Sequence, residues 1–285
     1  MTRAFICGCV GTELSDDERA FLREARPWGL ILFKRNVADR VQLRALTDAF
    51  RDTLGRDDAP VLVDQEGGRV QRMGPPHWPA YPAAARFDPE IGGERALAAA
   101  RLVARLMARD LREVGITVDC APVLDVADAE THAAIGTRSY SRFPERVAAF
   151  GRAVIEGLLD GGVAPVVKHA PGHGRARVDS HYELPVVAAS RTELAARDFA
   201  PFKVLSDMPM AMTAHVVYTA VDPRRPATTS RTAIRQVIRG TIGFDGLLMS
   251  DDLSMKALSG PPSAFIERSS VIRRPSNPIA SRTMV

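Results

Sequence analysis

The densest run of reactive side chains is Lys168-His169-Ala170-Pro171-Gly172-His173-Gly174, followed closely by Asp179-Ser180-His181. It gathers three of the chain's six histidines into a short loop-like stretch with two glycines and a proline. Core histidines occur singly, so the cluster reads as functional, and two chemistries fit it. His169, His173 and His181, with Asp179, have the donor types of a metal site. Alternatively, Asp179 and His181 form a proton-transfer pair. On extended backbone residues i and i+2 face the same side, and a carboxylate that accepts from an imidazole fixes its tautomer and stabilises its charged form.

A second candidate is Ser250-Asp251-Asp252-Leu253, directly after an apolar run. Adjacent carboxylates on a strand point opposite ways, so one faces a pocket, while Asp252 is also suited to capping the next helix. A third is Asp64-Gln65-Glu66-Gly67-Gly68-Arg69-Val70-Gln71-Arg72, where acids and guanidinium groups flank a Gly-Gly turn. Such groups hydrogen-bond polyhydroxylated or amide-bearing ligands, and glycines permit close backbone approach. Arg138, in Ile135-Gly136-Thr137-Arg138-Ser139-Tyr140, is a weaker signal alone, because loop arginines are ordinarily just solvated.

These residues need elements to hold them. Strands are expected at 4–10, 29–33, 60–63, 116–123, 164–167, 210–214 and 246–249, where short apolar runs occur. Between them apolar residues recur at three- and four-residue spacing, predicting helices over 15–25, 39–54, 94–114, 145–159, 191–205 and 231–239. The first opens with a capping box, Ser15 to Glu18. Strand–helix alternation of this length implies a parallel sheet covered by helices. Asp64, Asp125, Lys168 and His169, His215 and Asp251 each follow a different strand. That favours a (β/α)8 TIM-type barrel, whose catalytic groups collect at the C-terminal strand ends. The open doubly wound alternative lacks its Gly-x-Gly-x-x-Gly turn.

Together the motifs at 64–72, 168–174, 179–181 and 250–255 resemble the family 3 glycoside hydrolases, in their bacterial β-N-acetylglucosaminidase branch, from about residue 5 to residue 258. The resemblance implies Asp251 as nucleophile and His181 as general acid/base, assisted by Asp179. It implies Asp64, Arg72, Arg138, Lys168 and His169 as sugar-binding residues. The expected reaction is retaining hydrolysis of terminal β-linked N-acetylglucosamine through a covalent glycosyl-enzyme. The substrate it implies is an N-acetylglucosaminyl-anhydromuramoyl peptide of cell-wall recycling. The family needs no metal or other cofactor, which counts against the metal reading. A metal-dependent barrel hydrolase using His169, His173 and His181, and an inactive remnant of the glycosidase, are the alternatives.

Family members continue past the nucleophile with a helix, an eighth strand and a final helix. Here only seven strands are recognisable, within a catalytic domain spanning 1–258. Residues 259–285 form an irregular Ser/Arg/Pro-rich tail of the kind a frameshift or disorder leaves. The barrel is therefore expected to stop short of its eighth strand, with exposed edges that lower stability and promote aggregation.

Composition agrees with a soluble enzyme: of 285 residues, 46% are apolar and 25% charged. The net charge of +4 is concentrated in the tail, where Arg268, Arg273, Arg274 and Arg282 face only Glu267. The preceding residues are nearly neutral and show no basic stripe, which argues against nucleic acid. No apolar run is long enough for a membrane span. Cys7, Cys9 and Cys120 lack metal-ligand spacing and read as buried thiols of a reducing cytoplasm. A cytoplasmic monomer acting on a small carbohydrate is expected.

Overall fold

All seven apolar runs become parallel strands of one sheet in the computed structural model, which describes residues 1–88 and 93–258. They are β1 (Arg3–Cys7), β2 (Pro27–Leu32), β3 (Val61–Val63), β4 (Val118–Asp119), β5 (Ala164–Ala170), β6 (Met210–Thr213) and β7 (Leu247–Ser250). They lie side by side in chain order, each pair parallel, and the sheet curls. Parallel neighbours need crossovers. The longest are α1 (Asp16–Ala25), α2 (Arg40–Leu54), α3 (Gly93–Glu113) and α4 (Pro144–Asp160).

The described residues do not close the sheet: β1 and β7 are its two edges. Among the described residues the expected TIM-type barrel, short of its eighth strand, is a curled seven-stranded parallel sheet. The 259–285 tail lies outside the described residues.

Local chemistry explains the helices. Ser15 Oγ accepts from the Glu18 N–H at 3.2 Å while Glu18 accepts from the Ser15 N–H at 2.9 Å, completing the capping box. Asp39 caps α2 through the Gln42 N–H at 2.9 Å. Along α2, Leu43, Leu46, Phe50 and Leu54 fall on one buried face, as 3.6-residue periodicity demands. Leu62, Val118, Val166, Met210, Met212 and Met249, one or two from each of β3 to β7, pack together with Cys120 inside the curl. That layer is the floor beneath the strand ends.

Three elements differ from expectation. The strand expected over 116–123 is only Val118–Asp119, with a single later bridge from Val123 to Lys168. Pro122 has no N–H to donate to a ladder. The helix expected over 191–205 splits into Arg191–Ala196 and Ala200–Val204, because Asp198 turns inward to pair with Arg175 at 2.7 Å and Pro201 suits only a helix start. The last expected helix continues past Arg239 as a π-helix, Ala233–Ile242. Cys9 and Cys120 are buried, Cys7 is half-buried, and all three are free. Burial pushes the Cys7 and Cys9 thiols up to about 11. Among the described residues no helix is long and apolar enough to cross a membrane.

Candidate active site

Asp64 follows β3, and the chain then doubles back as an antiparallel ribbon, Gln65–Gly67 against Val70–Gln71. Its turn residues Gly67 and Gly68 sit at φ 87° and 57°, which favours glycine. A Cβ on either would collide with Pro82 or Ala83. The close approach these glycines permit is therefore of the chain's own 81–83 segment. Buried Gln65 ties the ribbon down, its Oε1 accepting from the N–H groups of Arg72 and Met73 at 3.0 and 3.1 Å.

Asp64 and Glu66 share the ammonium of Lys168, 2.7 Å from Asp64 Oδ1 and 2.6 Å from Glu66 Oε1. Arg138 donates Nε and Nη2 to the two oxygens of Glu66, each at 2.7 Å, a bidentate fork. Arg72 donates to Asp64 at 3.0 Å, and its buried Nε has no partner among the described residues. Burial works against the charges of Asp64, Glu66, Lys168 and Arg138, and the opposite charges overcome it. Lys168 and Arg138 hold Glu66 down to about 2, and Lys168 and Arg72 hold Asp64 below the usual carboxylate range. In return Asp64 and Glu66 raise Lys168 above an ordinary lysine.

β5 carries His169 next to Lys168. Its Nδ1 lies 2.6 Å from Asp125 Oδ2, while Asp125 Oδ1 accepts from the His173 N–H at 2.6 Å. Burial would raise the Asp125 carboxyl, but His169 and His173 hold it down to about 2. A carboxylate accepts, so Nδ1 carries the hydrogen, and a neutral ring turns its Nε2 lone pair toward Arg138 Nη2, 3.5 Å away. His173 is buried with its ring edge-on to His169 at 5.7 Å. Desolvation pushes it down to about 4, so it is neutral at physiological pH.

The depressed carboxylates have a consequence in acid. Their stabilisation is complete above the ordinary carboxylate pKa and is lost as pH falls through the folded value. Glu66 moves from 4.5 to about 2 and Asp125 from 3.8 to about 2, so that loss runs from about pH 4.5 down to about 2. Buried Asp119 and Asp198 run the other way, because desolvation raises their carboxyls, but Asp64, Glu66 and Asp125 outnumber them. The urea midpoint is expected to fall between about pH 5 and about pH 3; equal midpoints would contradict the buried ion network.

The Asp179–His181 pair forms as expected, with Nδ1 2.8 Å from Asp179 Oδ1. The reason differs: the pair sits in a turn, not on extended backbone. Asp179 Oδ1 also accepts the His181 N–H at 2.9 Å, and its carbonyl accepts the N–H groups of Tyr182 and Glu183, both at 3.0 Å. His181 is 61% exposed, on a loop whose Ser180 carbonyl accepts the Ala257 N–H at 3.2 Å. Gly172 and Gly174 fit their backbone against Asp198 and Val126, where a Cβ would collide. Asp251 follows β7, half-buried, with Oδ1 accepting the Asp252 N–H at 2.8 Å. Asp252 instead accepts from the Ser254 N–H and hydroxyl at 2.8 and 2.6 Å, a local turn in place of the helix cap expected of it, since the next helical element begins only at Lys256. No contact joins His181 to Asp251 among the described residues. The metal reading fails on geometry: His169 is tied to Asp125, His173 is buried and His181 stands on the exposed loop. No group of three His, Cys, Asp or Glu among the described residues could hold an ion.

Comparison with known proteins bears on this arrangement. The sequence profile described as "Glycosyl hydrolase family 3 N terminal domain" matches residues 7–270. The chain belongs to glycosyl hydrolase family 3. The family 3 match runs past Leu258 into the tail. A protein of Methylococcus capsulatus named "Beta-hexosaminidase" is 44% identical over 248 residues, 86% of this chain and 72% of that protein. One of the same name from Alkalilimnicola ehrlichii is 43% identical over 255 residues, 88% of this chain and 72% of that protein. The crystal structure of NagZ from Neisseria gonorrhoeae in complex with N-trifluoroacetyl-D-glucosamine superposes with a TM-score of 0.83 at 37% identity. The superposition covers 90% of this chain and 76% of that one.

In this family 3 chain two central groups, Glu66 and Asp125, stood among the motif and strand-end residues read from the sequence but were assigned no catalytic or sugar-binding role there. Glu66 stands two residues from Asp64 in an extended segment, so shared facing was available as a signal. Asp125 follows a strand as the other strand-end acids do, but its partners His169 and His173 are more than forty residues away.

Proposed function

We propose that this chain is a retaining β-N-acetylhexosaminidase that removes terminal β-linked N-acetylglucosamine. The observation that carries the proposal is the continuous network Arg72–Asp64–Lys168–Glu66–Arg138–His169 at the strand ends. It is a rim of fixed donors and acceptors suited to a sugar's hydroxyl and amide groups. The names of the family 3 relatives support the same reading. Asp64, Arg72, Arg138, Lys168 and His169 bind the sugar, with Glu66 and Asp125 orienting them.

Asp251 attacks the anomeric carbon from one face, forming a covalent glycosyl-enzyme. His181, its Nδ1–H held by Asp179, gives the Nε2 proton to the departing oxygen. The neutral ring then takes a proton from water, whose oxygen attacks the anomeric carbon and releases Asp251. The loop that carries His181 must bring it over the sugar for this transfer. In the same reading the curled sheet belongs to a TIM-type barrel, residues 1–258 are the catalytic domain and 259–285 a tail. The natural substrate is an N-acetylglucosaminyl-anhydromuramoyl peptide met in the cytoplasm during peptidoglycan recycling, and the chain works as a monomer without a cofactor.

The purified chain is expected to release nitrophenol from its N-acetyl-β-glucosaminide and not from its β-glucoside. Across aryl N-acetylglucosaminides of rising leaving-group pKa, His181→Gln is expected to lose about 10²- to 10⁴-fold on the poorest leaving groups and far less on dinitrophenol. Parallel leaving-group plots for wild type and variant would remove His181 as the acid.

A further inference from the structure

His215 is buried in the segment that follows β6, and the mechanism above leaves it unused. Its Nε2 lies 2.9 Å from the carbonyl oxygen of Asp252, and its Nδ1 lies 2.8 Å from Thr228 Oγ1. Thr228 Oγ1 is in turn 2.9 Å from Thr213 Oγ1. Thr213 and Thr228 are both buried, so each polar hydrogen in this chain must find an acceptor.

The hydrogens can be assigned. A carbonyl only accepts, so Nε2 carries a hydrogen. The Ala214 carbonyl likewise only accepts, so the Thr228 hydroxyl donates to it at 3.0 Å. The Thr228 oxygen accepts from the Thr213 hydroxyl at 2.9 Å and faces His215 Nδ1 at 2.8 Å. The Ala214 carbonyl also receives the Thr228 backbone N–H at 3.3 Å. The result is a connected polar chain from Thr213 through Thr228 and His215 to the Asp252 carbonyl. It starts on rigid backbone, since Thr213 is the β6 residue in register with Ser250 of β7.

Asp252 is the residue whose N–H holds the Asp251 carboxylate. Its three polar groups are all committed: the side chain to Ser254, the N–H to Asp251, and the carbonyl to His215 at 2.9 Å and to the Met255 N–H at 3.2 Å. We propose that His215 is a positioning residue for the nucleophile: by fixing the Asp252 carbonyl it sets the N–H that orients Asp251. The inference rests on Asp251 being the nucleophile, as proposed above. The proposed sugar-binding groups lie on β5, in the segment that follows β3 and in the loop holding Arg138, so loss of this anchor should misdirect the attacking carboxylate and leave substrate binding alone.

The test is steady-state kinetics on nitrophenyl N-acetyl-β-glucosaminide with wild type, Asp251→Asn, His215→Ala, His215→Gln and Thr228→Val. His215→Ala is expected to lower kcat about 10²-fold with KM within about twofold, the size of effect that a small misplacement of a reacting group has. His215→Gln keeps an N–H donor for the carbonyl and is expected to recover about tenfold of that loss. Thr228→Val keeps the ring but not its orienting hydroxyl and is expected to lower kcat by about tenfold. A wild-type kcat in His215→Ala, a loss carried by KM, or a folded His215→Gln no better than Ala would each overturn the inference. If His215→Ala gives no cooperative melt, Thr228→Val decides, and wild-type kcat there overturns it. A wild type without turnover, or an Asp251→Asn as active as wild type, instead brings down the nucleophile assignment, and the role of His215 falls with it.

Discussion

Replacing Asp251 by alanine is expected to lower kcat on nitrophenyl N-acetyl-β-glucosaminide by about 10⁴-fold or more, the scale seen when a covalent nucleophile is removed. The fold should survive. Asp251 is half-buried and its carboxylate accepts only the neighbouring Asp252 N–H among the described contacts. Azide should restore turnover, because a small anion can occupy the space left by the carboxylate and attack the anomeric carbon, giving the glycosyl azide of inverted configuration. Asp252→Ala provides the contrast. That carboxylate bonds Ser254 within its own turn, so its loss should cost about 1 kcal/mol of stability, as for a cap, and leave kcat within about tenfold. The reverse pattern, with Asp252→Ala inactive and azide acting there, would exchange the roles of the two residues.

The choice between these aspartates shows what the sequence could and could not say. Placement after the seventh apolar run singled out both, and pleat geometry said that one would face inward. Which one depends on the turn after β7, where Ser254 captures Asp252. That signal was legible, as an Asp followed two residues later by Ser. The strands were legible for a related reason. Fully buried parallel strands are continuous apolar runs, and β2, β3, β5, β6 and β7 all fall on such runs. Strand β4 was overestimated because apolar character continues through Cys120, Ala121 and Val123 while Pro122 breaks the ladder. The helix expected over 191–205 was overestimated because periodicity does not register a buried salt bridge between Asp198 and Arg175, two loops apart.

The site divides along the same line. Asp179 and His181 are close in sequence, and their pairing was expected, although a turn and not a strand brings it about. Asp125 and Glu66 become central only when β4 is laid beside β5 and the ribbon after β3 is folded over them. Their partners are set by tertiary structure, and an isolated acid after a strand carries no mark of which histidine it will meet. His215 belongs with them. Its value depends on a carbonyl 37 residues away.

Lys168 is the point at which stability and binding are expected to separate. Its side chain is 1% exposed, between Asp64 at 17% and Glu66 at 6%. Lys168→Met keeps most of the volume and removes the cation, leaving two carboxylates with less compensation than burial demands. The expected cost is about 3–5 kcal/mol, read as a fall in urea midpoint at neutral pH, together with loss of measurable kcat/KM. Adding Asp64→Asn to Lys168→Met removes one stranded charge and is expected to return about 1–3 kcal/mol, a non-additive pair of the kind that contacting residues give. Activity should not return with it, because two groups of the proposed sugar-binding rim are then gone. Two additive stability losses would show that Lys168 and Asp64 do not interact as their 2.7 Å separation implies. Recovery of activity along with stability would make the cluster a scaffold and nothing more. Buried ion groups are often replaceable by apolar side chains without loss of stability. A cluster of three cations and two carboxylates at the strand ends is therefore better accounted for by the sugar binding proposed for it than by stability alone.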